Sequence, residues 1–302
     1  LVGVSESDLL MRVEDSVLDT CKYKKQTRGF FNKLTRLLID FDKIYNPDYN
    51  YFGCIEAFIE LRYEMNDYLG CEDELEHQLK KLSFDYIQCR FDNYVKKHKR
   101  KLRDHRYSEG ENTKQLIERM QAVSERYARV LVVRVDFAYK KKYHHLLSIK
   151  DFDNDMRILR QRIHNRDGFF DGLIEYAWAL EQGIDKSLHC HLLLIYDGAK
   201  RQKDVFIGRE VGEKWLYITG NNGNYYNCNN PDYKLFYQQR QLLGIGMIHR
   251  DNPLEIENAI RVARYLVEPE KVNQHLTIRL PNMRTFGKGQ FNVSWRRDVN
   301  RM

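Results

Sequence analysis

Apolar residues recur at helical spacing through the first ~125 residues. Leu9, Leu10, Val13, Val17 and Leu18 form one stripe behind the capping candidate Ser5. Phe30 to Tyr45 repeats the pattern with Leu34, Leu37, Leu38 and Phe41, and Asn46-Pro47-Asp48 ends it. The periodicity predicts a helix over Tyr51 to Leu69, stopped at Gly70, and a long one from Asp73 to about Arg106. Ser108-Glu109-Gly110 is expected to break the chain before a last helix to about Tyr127. The texture changes at Arg129. Arg129 to Ala138 (RVLVVRVDFA) alternates, with Leu131, Val133, Val135 and Phe137 on one face and Arg134 and Asp136 on the other. A helix is predicted over Asp151 to Arg166. Gly172 to Glu181 and Ser187 to Tyr196 read as an antiparallel hairpin around a short polar loop. A helix over Val205 to Ile218, a turn-rich loop over Asn221 to Asn230 and a short strand over Gly244 to His249 follow. The last helix, Glu255 to Glu268, enters after Asn252-Pro253 and stops at Pro269. This order predicts an α+β fold: an all-α N-terminal region, 1–127, then an antiparallel sheet with packed helices, 128–302.

The hairpin carries candidate chemistry. Residues two apart on a strand share a face, so His189 and His191 project together. Leu188, Cys190, Leu192 and Leu194 face the other way, matched across the hairpin by Ile174, Tyr176, Trp178 and Leu180. Glu175 and Glu181 then lie on the histidine side, and Glu181 can oppose His189 beside the turn. Two imidazoles and a carboxylate can bind one divalent cation and leave positions open for substrate. Polar-face histidines are also common without a metal. The core stripe behind the pair predicts that they face a surface. In the last helix, Ile256, Ala259, Ile260, Ala263, Leu266 and Val267 form the buried side. Tyr265 lies off that stripe, with Arg261 one turn back. It is either an interfacial tyrosine with a wet tip or a nucleophile needing nearby positive charge.

Composition narrows the classes. Hydrophobic residues are 42% and charged residues 31% of the 302, a globular mixture. No apolar run has bilayer length and no signal-peptide pattern is present, so no membrane partner is expected. Six cysteines without C-x-x-C spacing argue against a zinc ribbon or disulfide framework and fit a cytoplasmic protein. The formal charge of +7 is unevenly spread. Lys96, Lys97, Lys99, Arg100, Lys101, Arg103 and Arg106 crowd one segment, and Arg279, Arg284, Lys288, Arg296, Arg297 and Arg301 dominate the tail. These clusters are either polyanion contacts or solvated faces. Tyr225 and Tyr226 could stack bases, or serve as packing.

The histidine pair, the strand before it and the tyrosine helix occur in the order that HUH endonucleases use. The closer resemblance is to the inovirus-type replication protein family, with its YagK/YfjJ-like domain. It is carried by EYAWALEQG (175–183), SLHCHLLLIYDG (187–198), IGREVGEKWLYITGNNGNYYNC (207–228), ARYLVEPEK (263–271) and RTFGKGQF (284–291). The resemblance implies an antiparallel sheet with the HUH strand central. It implies Mg²⁺ or Mn²⁺ held by His189, His191 and a third ligand, Glu181. It also implies Tyr265 as the nucleophile that cuts single-stranded DNA or a DNA hairpin, leaving a 5′-phosphotyrosine link and a free 3′-hydroxyl. Relatives usually carry a lysine three residues after the tyrosine; here Glu268 stands there, and Arg261 and Lys271 are the candidate substitutes. The alternative is a DNA-binding protein of the same fold that does not cut, acting as a regulator or as a partner of another DNA-processing protein.

Overall fold

The computed structural model describes residues 5–267 and 274–291. Along the chain run α1 (Glu6–Lys22), α2 (Phe30–Ile44), β1 (Asn50–Tyr51), α3 (Ile55–Glu64), α4 (Glu72–Leu82), α5 (Phe84–Arg126) and β2 (Arg129–Tyr139). Then come α6 (Ile149–Asn165), β3 (Leu173–Gly183), β4 (Ser187–Asp197), α7 (Asp204–Ile218), β5 (Gly223–Asn227), α8 (Pro231–Gln238), β6 (Gly246–His249), α9 (Pro253–Leu266), β7 (Ile278–Arg279) and β8 (Phe286–Lys288). The fold is α+β. Two compact units are present: residues 1–105 with 144–151 and 275–283, and residues 106–143 with 152–274 and 284–302.

The first unit is helical, with the two-residue strands β1 and β7 paired antiparallel. Ser5 caps α1, its Oγ accepting from the Asp8 amide at 3.4 Å. The stripe Leu9, Leu10, Val13 and Val17 is buried with Leu34, Leu38 and Phe41 of α2, Phe58 of α3 and Phe91 of α5. Two expected boundaries move. No helix spans Tyr51 to Leu69: Tyr51 is a strand residue, and Gly53 takes φ 58, a left-handed backbone that no α-helix continues through. Nor is Asp73 to Arg106 one helix. The chain turns at Ser83, φ 65, whose hydroxyl accepts from the Tyr86 amide and so starts α5. From there α5 passes through Ser108-Glu109-Gly110 without a break. A lone helical glycine costs only about 1 kcal/mol against alanine, which the long helix absorbs.

The second unit is built on a six-stranded antiparallel sheet in the order β5-β2-β4-β3-β8, with β6 on the same side of β2 as β5. Residues 223–227 of the expected loop are therefore a strand, held by pairing with Val135 to Tyr139. Between β6 and β5 the ladder has a gap at Val133 and Arg134. The wholly buried side chain of Asn229 bridges it: Oδ1 accepts from the Arg134 amide at 2.8 Å and Nδ2 donates to the Val132 carbonyl at 3.0 Å. Helices cover both faces. On one, Leu116, Met120 and Val123 of α5 and Ala259, Ala263 and Leu266 of α9 pack with Val130, Val132, Ala177, Ala179, Leu193 and Ile195. On the other, Trp215 of α7 lies 5.2 Å from Phe137 and Phe152 of α6 lies 6.1 Å from Tyr139, centroid to centroid. The prediction that the histidines face an open surface is overturned, because α5 and α9 roof their side of the sheet.

Candidate metal centre and adjoining cavity

The hairpin register sets Glu181 opposite His189 and Ala179 opposite His191. On the other edge of β4, Asp136 is the partner of His191. The period of two thus brings Asp136, His191, His189 and Glu181 onto one face. They are 7% exposed at Glu181, 5% at His189 and 4% at His191. Glu181 Oε2 lies 3.3 Å from His189 Nε2 and 3.2 Å from His191 Nε2.

The outer nitrogens of both rings are anchored. His189 Nδ1 meets the Ser187 carbonyl at 3.0 Å, and His191 Nδ1 meets Asp136 Oδ1 at 2.7 Å. Arg134 Nη2 also lies 3.3 Å from His191 Nδ1; in the neutral tautomer with the proton on Nδ1, each ring presents its Nε2 to the Glu181 carboxylate. In that tautomer two imidazole nitrogens and a carboxylate converge, a donor set suited to one cation. Glu181, His189 and His191 place ligand atoms within 4.8 Å of one another, and the anchored outer nitrogens are the usual support for metal-binding imidazoles. Glu175, on the same face, is committed elsewhere: its carboxylate takes Arg119 at 2.5 Å and the Phe291 amide at 3.3 Å.

Arg134 completes the electrostatics. Its Nε and Nη2 clasp the two Asp136 oxygens at 3.0 and 3.1 Å. Burial pushes the Asp136 carboxyl up, but the Arg134 charge and the His191 contact outweigh it and hold the group well below the usual range. The Arg134 guanidinium also sits 4.9 Å over the Tyr265 ring. That ring is 6.4 Å from the His191 ring, and Tyr265 is 46% exposed. Burial raises the Tyr265 pKa; Arg134 lowers it and Glu181 and Asp136 raise it, for a net rise above 10.

A cavity of about 470 Å³ opens beside this group. Arg134, Asp136, Lys186, Arg261 and Tyr265 form its charged side, and Tyr226, Tyr233 and Tyr237 its aromatic side. Arg261 faces both the cavity and Glu257, with its Nη2 3.4 Å from the Glu257 carboxylate. Lys271 and Glu268 lie outside the described residues, as do Arg296, Arg297 and Arg301. The two tyrosines of β5 part company. Tyr226 lines the cavity, while Tyr225 packs on α7 so closely that a Cβ at Gly212 would fall 2.1 Å from its ring. Tyr225 also donates to Glu213 at 2.9 Å. Lys288 is half-buried on β8 and bonded to Gln115; Arg284 is exposed.

Lys96 to Arg103 of the basic run belong to the first unit, and Arg106 to the second. Lys96 pairs with Asp92 at 2.9 Å, Lys97 approaches Glu56 at 3.9 Å, Lys101 bonds to the same Glu56, and Lys99 and Arg100 are exposed. Sequence reasoning missed Arg134, Asp136 and Lys186 as members of the site. Arg134 and Asp136 were visible as two charges alternating inside an otherwise β-branched strand, a pattern equally expected of a solvent-facing edge.

No curated protein and no solved structure gives a match to this chain. The profile of the YagK/YfjJ C-terminal domain matches residues 90–248, just over half of the chain. That stretch contains Arg134, Asp136, Glu181, His189 and His191 and ends before Tyr265. The chain belongs to the YagK/YfjJ C-terminal domain family.

Proposed function

We propose that this protein is an HUH-type endonuclease that nicks and rejoins single-stranded DNA through Tyr265. The observation that carries the reading is the convergence of two Nε2 lone pairs and a carboxylate beside a tyrosine ring, at the edge of a cavity with cationic and aromatic walls. His189, His191 and Glu181 are the ligands suited to Mg²⁺ or Mn²⁺, which when bound supplies positive charge to the scissile phosphate. Tyr265 Oη forms the bond to phosphorus, and the bond from phosphorus to the 3′-oxygen breaks. The phenol proton passes to solvent and the departing 3′-oxygen takes one up. No water is consumed at phosphorus, so the 5′-phosphotyrosine link keeps the phosphodiester energy and a 3′-hydroxyl can reverse the step. Arg134 holds the ring by its face and favours the phenolate. Arg134 and Lys186 supply positive charge to the cavity that Tyr265 lines. The aromatic wall offers faces on which bases stack.

The test is incubation with a pool of single-stranded DNA and Mn²⁺, followed by a denaturing gel. Wild type should retain labelled DNA, and Tyr265→Phe should lose the adduct while keeping DNA affinity. An adduct that persists in Tyr265→Phe assigns the attack to another residue. The second reading, a DNA-binding regulator or partner that does not cut, is favoured by Glu268 where relatives carry lysine. It is the conclusion if neither wild type nor Glu268→Lys forms an adduct while both bind DNA.

A further inference from the structure

We propose that Glu14, Cys54 and His98 are the ligands of a second metal site, structural in role and zinc-class in preference. The three come from α1, the residue preceding α3, and α5, all within the first unit. Their ligand atoms lie within 4.8 Å of one another. A tetrahedral ion with bonds of about 2.0–2.3 Å separates its ligands by roughly 3.3–3.8 Å, so modest side-chain rotation closes the set.

Three independent features point to an ion. His98 is 3% exposed, and its Nδ1 makes no hydrogen bond; it stands 3.5 Å from Glu14 Oε1. A buried imidazole nitrogen without a hydrogen bond, facing a carboxylate and within reach of a buried thiol, is a donor available to a cation. Gly53 shapes the cradle: at φ +58, a Cβ there would fall 2.2 Å from His98 Nδ1. Only glycine lets the imidazole lie against the backbone directly before Cys54. Finally, His275 Nε2 contacts the same Glu14 oxygen at 3.1 Å and steadies it, and the Phe52 ring packs against both imidazoles, edge-on to His98 at 5.6 Å and tilted on His275 at 4.3 Å. That support resembles the outer contacts that orient metal-bound carboxylates.

The donor set names the class of ion. A thiolate with an imidazole and one carboxylate suits Zn²⁺ or Co²⁺ and disfavours Mg²⁺ and Ca²⁺, which take oxygen. The His189 site has no sulfur and differs in this respect. Binding converts the Cys54 thiol to a thiolate and releases one proton to solvent for each ion bound; the His98 imidazole enters neutral. The ion would fasten three helices whose ligands are far apart in sequence, which is why no short cysteine–histidine spacing announces it.

Cobalt reads this site separately from the other. The full chain carrying His189→Ala and His191→Ala is titrated with Co²⁺. The expected result is a thiolate-to-cobalt band in the near ultraviolet with tetrahedral visible bands, saturating at about one ion per chain and abolished by Zn²⁺. Cys54→Ser should remove the near-ultraviolet band, and His98→Gln should weaken affinity by about tenfold or more. No such band at saturation, or a band that survives Cys54→Ser, overturns the proposal. Should Cys54→Ser fail to fold, the folded double variant is dialysed against Zn²⁺ and assayed for bound metal: about one ion per chain supports the site, and none overturns it. Neither outcome bears on DNA cleavage.

Discussion

Glu6 opens α1 with its carboxylate on the Ile149 amide, 2.6 Å away. Burial outweighs that bond, and Asp151 adds to it, so the carboxyl is pushed up from 4.5 to about 7. The folded state therefore holds a proton that the unfolded chain sheds above 4.5. Stability is greatest below that pH and falls as pH rises toward 7. Glu6→Gln keeps an acceptor for the amide and removes the charge. It should raise stability by about 2 kcal/mol at pH 8 and change little at pH 4, read as thermal midpoints at the two pH values. An equal gain at both would place the effect in packing. Asp136 makes the opposite case, a carboxylate that must stay charged. Asp136→Asn should weaken Mn²⁺ binding at the His189 site by about 10- to 100-fold by loosening the His191 ring, measurable by calorimetry in the presence of Cys54→Ser. His189, His191 and Glu181 were legible because a strand's period is two and a hairpin fixes which residues face each other. Arg134 and Asp136 were equally legible as neighbours but not as a site. Their meaning depends on what roofs the sheet, and that is decided by residues far away in α5 and α9.

Helix α5 shows how local rules mislead when taken singly. Gly110 was expected to end it and Ser83 to lie inside it, and the reverse holds. Ser83 offers its hydroxyl to an orphan amide, a stronger reason to start a helix than one glycine is to stop one. Since a Cβ at Gly110 meets nothing within 4 Å, Gly110→Ala should stabilise the protein by about 1 kcal/mol, seen as a higher midpoint in denaturant with unchanged slope. Loss of stability instead would mean that the helix is locally distorted there. Strand β4 held a sign that went unused. Leu192 to Tyr196 is an unbroken apolar run, the mark of a strand covered on both faces. The alternation around His189 and His191 suggested one wet face, but the run beyond them belonged to a sheet that has none.

At the scale of the whole molecule, charge is the feature that sequence states most directly and interprets least. The net charge of +7 is real, yet part of the basic run on α5 is already paired with Glu56 and Asp92. Lys99 and Arg100 are among its exposed members. If they contact phosphates, replacing both by alanine should lower the salt slope of single-stranded DNA binding by about one to one and a half units. An unchanged slope would make the run a solvated helix face. None of the described helices is long and apolar enough to cross a membrane. The α+β class and the helical-then-sheet sequence followed from periodicity, while β5 was expected as loop and α8 and β8 were not expected at all. What periodicity could not supply was the return of residues 275–283 to the first unit, because two-residue strands such as β7 carry too little pattern to be seen.

The gap in the β2 ladder has a consequence for how such a protein diversifies. Tyr226, Cys228, Tyr233, Tyr237 and Leu242 to Ile245 come from one contiguous stretch that leaves the sheet at β5 and rejoins it at β6. The groups of the proposed chemistry sit outside that stretch, on β2, β3, β4 and α9. The segment between β5 and β6 is thus a cassette, docked through the Asn229 amide, the Cys228 amide on the Arg134 carbonyl, Lys234 on Asp204 and Asn258 on the Gln241 carbonyl. Its inner residues can drift, lengthen or be exchanged between relatives while the metal ligands and the tyrosine keep their positions. Under the proposed function, ligand preference and reactivity are then separable, and a chimaera that swaps residues 230–245 is expected to change which strand is held without changing how it is cut.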